Sequence, residues 1–210
     1  MKFIPALEYK IRKQLVETIK LFHQRGWSPA TSTNYSFRTP EADTYTISRS
    51  GVDKFYFNEH DFLHINKAGK PTAEYEHLKP SAETLLHTML YNQYADCEAV
   101  LHTHSLFSTV LSAQYLSEEG FFIQNLEVLK AFRGIATHEA KIWIPIFPNS
   151  QDIATLSIDI KAYLDNHPNT YGFLLAGHGL YAWGNSLAEA KRHTESFEFL
   201  FECFNMLRKG

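Results

Sequence analysis

Apolar positions recur at spacings of three and four along residues 8–25, where Ile11, Leu15, Ile19 and Phe22 form one stripe and Gly26 follows. That period is one face of an amphipathic helix with a glycine stop. A small-hydroxyl loop from Ser28 then runs into a strand near Arg38. Residues 44–48 alternate as a strand, while Phe55–Phe57 and Phe62–Ile65 read as further strand or edge material before a turn at Lys67–Pro71. A second helix is expected from Ser81, an N-cap just after Lys79-Pro80, with Leu85, Leu86, Met89 and Leu90 as its stripe. Cys97–Leu101 is an apolar run of buried-strand type that ends in His102-Thr103-His104. Residues 105–115, 124–132 and 152–166 look helical, and 142–146 reads as a short strand. Residues 171–176 and 180–183 pattern as a tight hairpin with Gly177-His178-Gly179 at its tip. Ser186 and Glu189 form a capping box for a last helix carrying Leu187, Ala190, Phe197, Phe201, Phe204 and Leu207. The mixture, without repeats or linkers, implies one α/β domain over residues 1–210 with a largely antiparallel central sheet.

Composition narrows the function. The 210 residues are 44% hydrophobic and 14% aromatic, enough for a substantial core. The formal net charge is -3 and no basic run exceeds two residues, which argues against a nucleic-acid or anionic-membrane surface. Cys97 and Cys203 lack metal spacing and read as apolar residues of a reducing compartment. With no signal-type apolar segment at the start, a cytoplasmic location is expected.

The histidines carry the strongest chemistry. Side chains two apart on a strand share a face, so His102 and His104 present two imidazoles together, as a zinc or similar divalent site requires. The alternative is a pair of hydrogen-bonded histidines at a strand end. His178, between two glycines, supplies a third ligand or is an exposed turn residue. Three protein ligands leave a position open for substrate. The helix start at Ser81 suits a phosphate, and the loops Ser32-Thr33-Asn34 and Ser50-Gly51 offer further donors, although ordinary turn chemistry explains each loop alone. Glu83 reads either as a fourth ligand or polar base, or as charge complementing a helix start. Glu127, among Leu126, Val128 and Leu129, reads either as a carboxylate with a raised pKa fit for acid and base work, or as a solvent-facing residue of an amphipathic helix.

Together the segments Ala30–Asn34, Ser50-Gly51, Lys79–Glu83, His102–Ser105 and Gly177–Leu180 resemble the class II aldolase/adducin family across nearly the whole chain. The resemblance implies a three-layer α/β/α domain around a mainly antiparallel sheet. It implies one divalent metal per subunit, usually zinc, on His102, His104 and His178. It also implies a phosphate pocket at Asn34, Ser50, Gly51 and Ser81, a catalytic carboxylate at Glu83, and a homotetramer acting on a small sugar phosphate. Within the family, Arg25–Ser32, Thr137–Glu139, Ile144–Ile153 and His178–Gly184 look most like a branch that dehydrates a ketose phosphate, in which Glu127 matches the general acid/base. A sugar-phosphate aldolase and a pentulose-phosphate 4-epimerase are the enzymatic alternatives. A non-enzymatic adducin-like module would have lost the three histidines. The family loop commonly reads Thr-Ser-Gly-Asn; here Thr33 replaces the glycine, a crowded choice if the backbone takes positive φ there.

Overall fold

Most strands are buried at nearly every position, as in a sheet with helices on both faces. The computed structural model describes residues 4–40 and 42–208. Helix α1 spans Ala6–Gln24, and Gly26 (φ +75°) lets the chain turn away beyond it. Strands β1 (Tyr35–Arg38), β2 (Tyr45–Ser48) and β3 (Phe62–Ile65) follow, then α2 (Thr84–Gln93), β4 (Ala99–Thr103) and α3 (Leu106–Gln114). Next come β5 (Gly120–Gln124), β6 (Lys141–Phe147), α4 (Ile153–Asn166), β7 (Gly172–Leu175), β8 (Gly179–Gly184) and α5 (Leu187–Leu207). The strand order is β3-β2-β1-β4-β8-β7-β6-β5, and every ladder is antiparallel except β6–β7. The expected mixed α/β architecture with a mainly antiparallel sheet is therefore present.

Alternation along each strand sorts the core. Val100, Phe173, Leu175, Tyr181 and Trp183 face α2 and α4, where Leu86, Leu90, Leu156 and Ile160 cover them. The opposite residues, Ala99 and Leu101, meet α1, while Leu174, Leu180 and Ala182 meet α5. His102 shares the parity of Val100, so it lies on the face that α2 covers.

Four expectations need correction. Phe55–Phe57 is a turn, with Phe55 and Tyr56 exposed and only Phe57 buried. Ser81 does not cap α2: the helix begins at Thr84 after Glu83, and the Ser81 hydroxyl accepts from the Glu83 N–H at 3.3 Å. Residues 124–132 are not a helix. Strand β5 ends at Gln124, Asn125 takes φ +60°, and a single 3-10 turn covers Glu127–Ala131. The capping box at α5 is half formed, since Ser186 accepts from the Glu189 N–H but the Glu189 carboxylate accepts from the Asn185 N–H and Arg133 instead.

Candidate metal centre

Strands β4 and β8 pair with His102 opposite Tyr181 and Thr103 opposite Leu180. This register brings the β7–β8 tip, and with it His178, over the end of β4. The approach depends on Gly179, where a Cβ would sit 1.9 Å from the Thr103 carbonyl oxygen. The Nε2 atoms of His104 and His102 lie 2.7 Å apart, and those of His102 and His178 lie 3.2 Å apart. The three rings therefore offer one ligand atom each within a 4.8 Å cluster.

Hydrogen bonds on the far side of two rings decide what faces the centre. His102 Nδ1 donates to the Leu180 carbonyl at 2.8 Å, and His178 Nδ1 donates to Asn149 Oδ1 at 3.2 Å. In a neutral imidazole the other nitrogen then carries a bare lone pair. Burial drives the pKa of His102 well below its ordinary value and holds His104 down to about 4. Neutral rings whose lone pairs converge repel one another unless a cation sits among them, so the donor set fits a divalent metal.

Glu83 joins the same point. Its Oε1 is 3.0 Å from His178 Nε2 and its Oε2 is 3.4 Å from His102 Nε2. Oε2 also accepts from Asn34 Nδ2 at 2.6 Å and from the Tyr181 hydroxyl at 2.9 Å. Burial opposes ionisation, and the Asn34 N–H and the Tyr181 hydroxyl, both donating to Oε2, favour the carboxylate. Oxygen and imidazole donors thus converge at one place, as a catalytic divalent ion requires.

The loops expected to hold phosphate also meet nearby. Ser50 N–H donates to the Lys79 carbonyl at 3.3 Å, and Arg49 bridges to Pro80, which sets Ser50-Gly51 beside Ser81. Asn34 Nδ2 reaches Ser81 Oγ at 3.1 Å. Ser32 stands apart in one respect: its hydroxyl donates to Pro29 O at 2.6 Å, inside its own turn. Thr33 does take positive φ (+73°), the conformation in which a glycine is least strained. Sequence reasoning passed over Lys54. It is fully buried, donates to Val52 O at 3.0 Å and Thr31 O at 3.4 Å, and so ties both loops together. Burial lowers its pKa to about 8. Lys54 follows an unpatterned turn, and no spacing marks it.

Glu127 is elsewhere. Its side chain is 69% exposed, pairs with Lys130 and lies 3.9 Å from His138. Its hydrogen bond to Lys130 lowers its pKa, so the apolar surroundings and raised pKa entertained from sequence are absent and the solvent-facing alternative holds in the single chain. Among the described residues, no hydrogen bond or ion pair joins it to the three histidines.

The chain is similar to known proteins over most of its length. The family model for the class II aldolase and adducin N-terminal domain matches residues 13–204. A methylthioribulose-1-phosphate dehydratase of Azotobacter vinelandii is 46% identical over 92% of this chain and 92% of its own. One from Picosynechococcus is 44% identical over 94% and 93%. Among solved structures, YgbL of Escherichia coli superposes with a TM-score of 0.79 at 24% identity, covering 96% of this chain and 91% of its own. L-fuculose-1-phosphate aldolase of Thermus thermophilus does so with 0.72 at 21%, covering 98% and 97%. The likeness to the solved structures is one of fold.

Proposed function

This chain belongs to the class II aldolase and adducin family, and we propose that it removes water from 5-methylthioribulose 1-phosphate to give 2,3-diketo-5-methylthiopentyl 1-phosphate, a step of methionine salvage. The observation that carries the reading is the convergence of His102, His104, His178 and Glu83 on one point, in a chain closely related to dehydratases of that name.

His102, His104 and His178 would hold a divalent ion, zinc or another, which would supply Lewis acidity toward the substrate's oxygens. Asn34, Ser50, Gly51 and Ser81, with Ser32 at the rim, hold the phosphate and orient the chain of the sugar without reacting. Glu83 contributes an ionised carboxylate where the imidazoles converge, so a proton released there has an acceptor other than the ligands. Glu127 takes the C3 proton and delivers a proton to the departing C4 hydroxyl. The C3–H and C4–O bonds break, a C3–C4 double bond forms, water leaves, and the C3 enol tautomerises to the ketone. The Glu127 assignment rests on the family match. Its exposed position makes the role depend on assembly, and we propose a cytoplasmic homotetramer with sites near subunit boundaries.

Purified, metal-loaded protein is expected to turn over methylthioribulose 1-phosphate and to leave fuculose 1-phosphate and ribulose 5-phosphate unchanged when all three are assayed side by side. No diketone from the first substrate removes the dehydratase reading. Cleavage of the second or epimerisation of the third puts an aldolase or epimerase in its place.

A further inference from the structure

Glu83, His87 and Tyr91 lie four residues apart, so they form one stripe along α2. Across from that stripe, Asn34 and Ser36 lie two apart at the start of β1 and share a face. The two rows interlock. Asn34 contacts both Glu83 and His87, and Ser36 contacts both His87 and Tyr91. His87 and Ser36 are fully buried, and Asn34 and Tyr91 nearly so.

The direction of donation follows from the ends. Asn34 turns its NH2 group to both Glu83 Oε2 at 2.6 Å and Ser81 Oγ at 3.1 Å. Its Oδ1 then faces His87 Nε2, which must carry a hydrogen. Burial keeps His87 neutral, its pKa held down to about 3. With its single hydrogen on Nε2, the ring's Nδ1 accepts from Ser36 Oγ at 2.7 Å. Ser36 has one hydrogen, now spent, so the Tyr91 hydroxyl donates to it at 2.7 Å. Every hydrogen in the row therefore points toward Glu83. An amide in the middle cannot relay a proton, so the row orients and does not conduct.

We propose that His87 is a positioning residue: by donating to Asn34 Oδ1 it fixes which end of the Asn34 amide meets Glu83, and so holds the Glu83 carboxylate against His178 and His102. The proposal rests on the catalytic role given to Glu83 above. Without the His87 donor, the Asn34 amide loses its orientation and Glu83 loses its shortest hydrogen bond.

The test pairs kinetics on methylthioribulose 1-phosphate with crystallography. His87→Leu keeps the volume and removes the donor; kcat is expected to fall about 10- to 100-fold, the range typical of lost outer-sphere support. KM should stay within about threefold, because the phosphate donors at Ser50, Gly51 and Ser81 remain. His87→Gln returns an N–H to the Nε2 position and should recover kcat to within about threefold of wild type. In an Asn34→Ala background, His87→Leu should add less than about twofold, since it acts through Asn34. A His87→Leu enzyme with wild-type kcat, a Gln variant as poor as Leu, or additive losses overturns the proposal. Should His87→Leu not fold, Ser36→Ala carries the test: a severalfold drop in kcat at constant KM supports it and an unchanged kcat overturns it. Crystal structures of wild type and His87→Leu decide the contact without any substrate. Separation of Asn34 Nδ2 from Glu83 in the variant supports the chain, and retention of the contact overturns it. If wild type turns over none of the substrate while that contact is lost in the variant, the dehydratase reading fails and the positioning role stands.

Discussion

Glu83 and Glu127 are both carboxylates at the start of a helical turn, and the fold treats them in opposite ways. Glu83 is 17% exposed, meets two imidazoles, and accepts hydrogen bonds from an amide and a phenol. Glu127 is 69% exposed and has a lysine and a distant histidine for company. The contrast teaches that a carboxylate's chemistry is set by what packs across from it. Glu83 has β1, β4 and β8 across from it. Glu127 sits in the connection between β5 and β6, at the outer edge of the sheet.

The comparison can be broken or sharpened by measurement. The largest effect is expected from His178→Ala, which removes one of the three proposed ligands: bound divalent metal should vanish by elemental analysis and kcat should fall by about 10³-fold or more. Glu83→Gln keeps the shape but not the charge, and should cost about 10²- to 10³-fold in kcat. Glu127→Gln should cost about 10²-fold in kcat, if the proposed acid/base role holds, while moving stability by less than about 0.5 kcal/mol. Unchanged kcat in Glu127→Gln would leave Glu83 as the sole carboxylate of the reaction.

A third carboxylate extends the series to full burial. Glu198 accepts from the Thr103 hydroxyl at 2.5 Å, and desolvation pushes its pKa from 4.5 up to about 7. A group whose folded pKa is raised contributes stability below its unfolded value and loses it as pH climbs through the folded value. Denaturant unfolding should therefore show wild type losing stability between about pH 4.5 and 7 through this group. Glu198→Gln should flatten that slope. The smallest effect is expected at Thr33, whose φ of +73° strains a β-branched residue. Thr33→Gly should raise stability by about 1 kcal/mol, read as a shift in the denaturant midpoint at constant slope.

Much of the centre was legible because strand geometry is strict. A His-x-His at a strand end puts two rings on one face, and Gly-His-Gly invites a hairpin tip, so the three histidines stand out before their register is known. Asn34, Ser50 and Ser81 were legible as loop donors, but the bridge from Arg49 to Pro80 that gathers them is a tertiary fact. Glu127 misled because Leu126, Val128 and Leu129 look like a helix face. Asn125 instead takes positive φ and shortens the segment to one turn. His87 carried no signal of its own. A Glu, a His and a Tyr at four-residue intervals acquire meaning only when Asn34 and Ser36 lie across from them. The same holds for Lys54, whose two carbonyl partners come from separate loops.

The single parallel ladder has a consequence for motion. Strands β6 and β7 pair through Ile146 with Leu174 and Phe147 with Leu175, whereas β4 and β8 pair over five positions. The β5–β6 hairpin, with Glu127 in its connection, is thus joined to the rest of the sheet by a short seam. Segments joined by few hydrogen bonds open as units at lower free energy than the core. Deuterium uptake should divide along that line, with Gly120–Phe147 exchanging ahead of β4 and β8. The carboxylate at Glu127 would then ride on the segment that breathes, and the three histidines on strands that do not.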